Sequence, residues 1–378
     1  MTLTRRKFSI SSGAALLAGF PAVRAQSEGK IILGQSAALS GPAAQLGIQF
    51  HQGAKLYFDG VNAQGGIGRQ QIEIRKLDDG YEPARCVENT QKLIAENVFA
   101  LFGYIGTPTS IAALPLATKA KIPFIAPFSG AMSLRDPFNK YAFHVRASYN
   151  DETALIVKQS LNMGLKKIAV FYQNDAYGKA GLDGVNLALG LQRLQPVALA
   201  TVERNSVDVA PAVKTLMAAS PDAVVQIGAY KACAAFIREA RKAGYGGTFY
   251  NVSFVGTQAL ADELGKDGAG VVVSQVMPSP YNASRAIARE FASAVAAANN
   301  KEVQANFSSM EGYVAARLFA EGLKRAGPNP TRESLMAGLE GIGSQSLGGF
   351  AVSLSSNDHV ASSFVELSML TGDGRVRT

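Results

Sequence analysis

The chain has 378 residues, which at about 150 residues per domain predicts two domains and excludes a single small module. It is 47% hydrophobic and 17% charged, against about 25% charged in an average globular chain, so it buries a large core and is neither disordered nor a coiled coil. Two cysteines exclude a disulfide scaffold and a cysteine-rich zinc site, and half of the +8 formal charge lies in the first 25 residues, leaving no basic stripe to bind nucleic acid.

Residues 1–25 read as a cleaved export signal. Arg5, Arg6 and Lys7 precede an uncharged stretch over 8–23, and Val23-Arg24-Ala25 places small residues where a signal peptidase cuts. Arg5-Arg6 followed by Phe8 resembles a twin-arginine signal. The uncharged run has 16 residues, short of the ~20 that span a bilayer, and no later segment is long and apolar enough. The mature chain is therefore expected in the periplasm, without membrane insertion.

From residue 31 onward, short β-branched runs alternate with segments of helical period. A strand over 31–36 leads to a helix over 43–61, with Leu46, Phe50, Ala54, Tyr57 and Val61 on one face. Strands over 72–77, 99–104 and 123–126 follow, separated by helices over 84–96 and 108–119. A second series has a helix over 152–163 and strands over 168–172, 197–202, 223–227 and 249–252, with helices over 182–191, 209–218 and 232–243. From 271 come one more strand, helices over 285–298, 310–326 and 332–339, and strands over 350–354 and 364–370. Repeated βαβ units demand parallel sheets, so the fold class is α/β with two lobes. With no Pro/Ser-rich linker, the lobes are expected to be joined by several short crossings. Cys86 and Cys233, on helices of different lobes, are expected to stay unpaired.

Ligands of open parallel α/β sheets bind beyond the carboxyl ends of the strands, which selects loops 39–45, 105–110, 128–130, 174–177, 228–230 and 253–254. In Gly103-Tyr104-Ile105-Gly106-Thr107-Pro108-Thr109-Ser110, Thr107 is expected to cap a helix and Pro108 to open it. The amides of Thr109 and Ser110 would then face outward as an anion site. Tyr177 and Tyr230, on Gly-rich loops, offer an apolar face with a polar tip.

Catalysis finds little support. His51, His144 and His359 are scattered, and no H-E-x-x-H, G-x-S-x-G or phosphate-loop motif occurs. Asp78-Asp79 after a strand reads as a solvated turn in preference to a metal pair, and Gly65-Gly66-Ile67-Gly68 precedes a strand, the wrong place for a dinucleotide loop. No catalytic residue, cofactor or metal is assigned.

Five motifs, in order and spacing, resemble the leucine/isoleucine/valine-binding protein family, the periplasmic receptors of branched-chain amino-acid ABC importers. They are Ser40-Gly41-Pro42, Asn62-Ala63-Gln64-Gly65-Gly66-Ile67, Asp78-Asp79-Gly80-Tyr81-Glu82-Pro83, the 103–110 loop and Asn174-Asp175-Ala176-Tyr177-Gly178. The resemblance covers nearly the whole mature chain. It implies two Rossmann-like lobes joined by a three-crossover hinge, the type I periplasmic-binding-protein fold, with lobe one in 26–145 plus 277–356 and lobe two in 146–276 plus 357–378. It also implies a monomer that binds a small carboxylate and docks on membrane permease subunits.

By position, the resemblance sets Thr107 and the Ile105–Gly106 backbone against the ligand carboxylate, beside Phe128, Ser129 and Gly130, with Tyr177 and Tyr230 closing from lobe two and Ser253 and Phe254 beside them. The family's amino-acid binders carry an acid where this chain has Ser253, and a hydroxyl cannot make the charge-assisted bond to an ammonium. A carboxylate without an amine becomes competitive, although Asp175 or Glu311 could reach an amine. Alternatives of another class are a ligand-sensing co-receptor with the same fold and, less favoured, an α/β enzyme.

Overall fold

The structure is a computed structural model describing residues 29–378; the export signal read over 1–25 lies outside the described residues. The first half builds β1 (Lys30–Ala37), α1 (Ala44–Ala63), β2 (Gln71–Asp78), α2 (Pro83–Ala95), β3 (Ala100–Phe102), α3 (Thr107–Lys119), β4 (Phe124–Ile125) and β5 (Ala142–Phe143). These strands form one parallel sheet in the order β2-β1-β3-β4-β5, with Ile31 opposite Ile72 and Leu101 opposite Phe124.

The second series runs α4 (Tyr149–Asn162), β6 (Ile168–Gln173), α5 (Ala176–Gly190), β7 (Ala198–Val202), α6 (Ala210–Ala218), β8 (Ala223–Ile227), α7 (Tyr230–Lys242), β9 (Thr248–Asn251), α8 (Thr257–Leu264) and β10 (Val272–Gln275). Its parallel core has the order β7-β6-β8-β9-β10, the same pattern as the first sheet. β8 is buried along its whole length, as a central parallel strand covered on both faces must be.

The chain then returns to the first lobe with α9 (Ala286–Ala298), α10 (Phe307–Ala326), α11 (Arg332–Glu340) and the hairpin β11 (Gly343–Leu347) and β12 (Phe350–Leu354). α10 lies along α1, and Phe319 packs edge-on against Phe58 and Phe102. β13 (Glu366–Leu370) and β14 (Val376–Arg377) finally extend the second sheet antiparallel from β10.

The chain thus passes three times between the lobes. The first and third crossings pair side by side, His144 N–H donating to His359 O at 2.8 Å and Ala361 N–H to His144 O at 2.8 Å. Cys86 and Cys233 are both buried and free.

Several boundaries differ from the expectation. α5 starts six residues early, because Asp175 caps it by accepting from the Tyr177 and Gly178 amides. Its glycines hid it: a Cβ on Gly178 would lie 1.8 Å from Gln173 O, so the helix needs glycine where propensity disfavours it. α8 and β11 were not expected at all. Asp79 is not in a solvated turn; it is fully buried, accepting from Ser36 Oγ at 2.7 Å and from Tyr81 N–H at 2.8 Å. Burial pushes its carboxyl up to about 6, against the opposing pull of those bonds.

Candidate functional site

The lobe-one wall of the cleft is built by the segments following β3 and β4. Gly106, not Thr107, is the N-cap of α3, with φ of 100°, a value that glycine adopts freely and threonine does not. A Cβ at Gly106 would lie 2.2 Å from the Tyr81 ring, so glycine also lets that ring pack down on the loop. Thr107 is therefore the first helical residue and Pro108 the second, and the Thr107 hydroxyl, free of capping, shares a 2.7 Å hydrogen bond with Ser129 Oγ. The Ser110 amide turns inward to Gly106 O and so is not part of an anion site. Ile105 and Phe128 pair as an isolated parallel bridge, which locks the two loops together, and Gly130 O accepts from the Tyr149 amide.

Lobe two supplies Tyr177 from the first turn of α5 and Ser253 and Phe254 from a short 3-10 turn after β9. Phe254 meets Tyr177 at 4.5 Å between ring centroids, Phe128 at 5.7 Å and Tyr81 at 5.8 Å, so one aromatic seam runs between the lobes. Tyr149, on the first turn of α4, joins it against Tyr177 at 5.4 Å. At the rim, Arg204 donates to Glu82 at 2.9 Å and Asn205 to Glu82 at 2.7 Å, tying lobe two to lobe one.

One corner of the seam is charged. Arg146, on the first crossing, is 1% exposed and lies over the Phe128 ring at 4.0 Å. Its Nε and Nη2 donate to the two oxygens of Glu311 on α10 at 2.8 and 2.7 Å. Burial works against the guanidinium charge, and Glu311 more than offsets it, so the pKa rises above its usual value. Glu152, on α4, accepts from Ser253 N–H at 2.7 Å, Ser253 Oγ at 3.0 Å and Ser274 Oγ at 2.5 Å. Burial raises its pKa, opposed by Arg146 and those donors. These residues leave a cavity of about 10 Å³ lined by Phe128, Arg146, Ser253, Gln275 and Glu311, among others.

The structure brings together Ile105, Gly106, Thr107, Phe128, Ser129, Gly130, Tyr177, Ser253 and Phe254 around this seam. Tyr230 stands apart from the rings of the seam: as the first residue of α7, and not on a loop, it lines a polar groove of about 780 Å³ between the lobes, with Gln45 and Gln49 of α1 and Glu302 on one side and Asp262 and Glu263 of α8 on the other. Asp175 is occupied in capping α5 and pairing with Arg204 at 3.3 Å, and Glu311 is occupied by Arg146.

Sequence reasoning missed Arg146, Tyr149 and Glu152. Arg146 fell in the stretch between the two series and was given no role, and Glu152 passed as an ordinary helical residue. The Ser148 capping box, in which Asp151 N–H donates to Ser148 Oγ and Ser148 N–H to Asp151, was the available signal that Tyr149 and Glu152 stand in the first turn of a helix facing the crossing.

With this geometry in hand, similarity to known proteins is informative. The family model described as periplasmic binding protein matches residues 30–374. Leu/Ile/Val-binding protein homolog 3 of Brucella melitensis biotype 1 is 23% identical over 304 residues, 79% of either chain. A crystal structure of a possible leucine/isoleucine/valine-binding protein from Rhodopirellula baltica SH 1 is 34% identical, with a TM-score of 0.89 over 93% of this chain and 96% of that one. A substrate-binding periplasmic protein from Ralstonia solanacearum is 32% identical, with a TM-score of 0.86 over 92% of this chain and 99% of the other. Two α/β lobes of one strand order, closed across a buried seam and matched to that family over nearly their whole length, establish that the chain belongs to the periplasmic binding protein family, of the leucine/isoleucine/valine-binding type.

Proposed function

We propose that this chain is the periplasmic receptor of an ABC importer. It captures a small carboxylate-bearing ligand, a branched-chain or hydrophobic amino acid or a related organic acid, between its lobes and delivers it to the membrane permease subunits. The observation that carries this reading is the seam: Phe128 and Tyr81 from lobe one face Phe254 and Tyr177 from lobe two, with hydroxyls and a guanidinium at one end. Apolar walls with a few convergent polar groups suit a small amphiphilic solute. The relatives from Brucella and Rhodopirellula, by their names, point to the same solute class.

The residual cavity of about 10 Å³ holds about one water, so capture requires the lobes to part and close again about the crossings. Lobe one would comprise 26–145 plus 277–356 and lobe two 146–276 plus 357–378. Export by the signal over 1–25 would deliver the chain to the periplasm, and among the described residues no helix is long and apolar enough to cross a membrane.

A thermal-shift panel of the mature protein tests the reading with leucine, isoleucine, valine and phenylalanine, their 2-oxo acids, 4-methylpentanoate and phenylacetate. A true ligand at 100 times Kd stabilises by about 2.7 kcal/mol and raises Tm clearly above the rest. A flat panel contradicts the proposal.

A further inference from the structure

We propose that Arg146 Nη1 and the Tyr149 hydroxyl together hold the ligand carboxylate, and that the ligand is a monocarboxylate on an apolar or aromatic body, bound with no partner for an α-ammonium. This rests on the reading of the interlobe seam as the ligand site. Its basis is a count of hydrogen-bonding capacity in the charged corner. Every oxygen of the two acids there already has a donor: Glu152 accepts three bonds, from Ser253 and Ser274, and Glu311 accepts two from Arg146.

The donors are not supplied. Arg146 Nη1 is buried without a partner, and the buried Tyr149 hydroxyl has no well-formed hydrogen bond, its polar neighbour being the Thr107 side chain. A buried donor with no acceptor is costly, most of all on a cation. The free atoms therefore call for an acceptor, and preferably an anion.

Both donors are held in place. Bidentate pairing with Glu311 and the Phe128 face 4.0 Å away fix the guanidinium plane, so Nη1 cannot swing to another acceptor. The Tyr149 amide is bonded to Gly130 O, and its ring is set against Tyr177. A carboxylate offers two oxygens, one for each donor, whereas a carboxamide offers one oxygen and no charge. Beyond the carboxylate, Phe128, Tyr177 and Phe254 present only rings and one hydroxyl, which suits an apolar body.

The test is calorimetric titration of the mature protein with 4-methylpentanoate, phenylacetate and leucine, each against its carboxamide. Wild type is compared with Tyr149→Phe, which leaves the Arg146–Glu311 pair intact, and with Arg146→Lys. The expected result is that one or more of the acids bind about 50-fold or more tighter than their amides, and that leucine binds no tighter than 4-methylpentanoate. Tyr149→Phe is expected to lose about 10-fold on the acid with an unchanged ligand-free Tm, and Arg146→Lys to lose at least as much.

Equal binding of acid and amide, or full affinity in Tyr149→Phe, overturns the anion site and leaves the receptor reading standing. Leucine binding about 100-fold tighter than 4-methylpentanoate, with the preference lost in Glu152→Gln, overturns the assigned ligand class in favour of ammonium recognition by Glu152. Failure of every compound to bind overturns both this proposal and the receptor reading.

Discussion

The two lobes share one strand order but meet the cleft in different ways. Lobe one, β2-β1-β3-β4-β5, ends its strands in tight loops whose hydroxyls and amides are tied to each other, as in the Thr107–Ser129 bond and the Ile105–Phe128 bridge. Lobe two, β7-β6-β8-β9-β10, contributes aromatic rings on helix first turns and a carboxylate, Glu152, gripped by its own serines. Between them, Arg146 stands on the first crossing and is anchored to lobe one through α10. The contrast teaches that strand order sets where a site can form, whereas the residues on the connections decide what it recognises.

The largest expected effect comes from breaking the charged junction. Arg146→Met alone strands Glu311 as a buried, unpaired carboxylate and should destabilise by about 3–5 kcal/mol in chemical denaturation, whereas Arg146→Met with Glu311→Leu should recover most of it. Equal loss in single and double variants would show that packing, and not charge, holds the junction. Next, Phe254→Ala removes the ring shared by both lobes and should cost about 3–5 kcal/mol. A loss below about 1 kcal/mol would mean that the seam is not packed as described.

A lobe-one contrast is pH-dependent. His51 on α1 hydrogen-bonds Gln35 Oε1 at 2.8 Å, and Gln35 in turn donates to Gly103 O at 3.0 Å, bracing the start of the site loop. Burial, reinforced by Lys76 and Lys55, lowers the imidazole pKa to about 4. The unfolded chain takes up this proton near pH 6.5 and the folded one only near 4, so the contribution is complete above 6.5 and fades as pH falls through about 4. It is on the order of 3 kcal/mol. The Tm of wild type should drop more steeply from pH 6.5 to 4 than that of His51→Gln; parallel curves would contradict this.

The smallest effect belongs to the rim. Glu82 and Arg204 are partly exposed, so Glu82→Gln should change stability by less than about 1 kcal/mol, yet speed ligand release measurably and more so at low salt. Unchanged release kinetics would remove the rim pair from the closing of the cleft.

The parallel sheets of each lobe followed from the alternation of apolar runs and helical periods, because burial on both faces writes itself into β6 and β8 as nearly continuous hydrophobic stretches, whereas the strand order was not read from the sequence. α5 was half concealed, since Gly178, Gly181 and Gly184 answer to close neighbours across the lobe and not to helix propensity. The strand-end loops were legible for the same reason as the sheets. Arg146 and Glu152 were not, because their meaning lies in partners 165 and 101 residues away, and no local pattern reports such pairings. Tyr230 follows β8 as expected and lies between the lobes, yet in a polar groove beside α1 and not among the rings of the seam, a distinction that its position in the sequence does not carry.

The most direct measurement is a crystal structure of the mature protein grown with whichever acid of the panel binds. The account predicts carboxylate oxygens about 3 Å from Arg146 Nη1 and from the Tyr149 hydroxyl, with the apolar body against Phe128, Tyr177 and Phe254. Density for the acid in the polar groove beside Tyr230, with Arg146 Nη1 still lacking an acceptor, would contradict it.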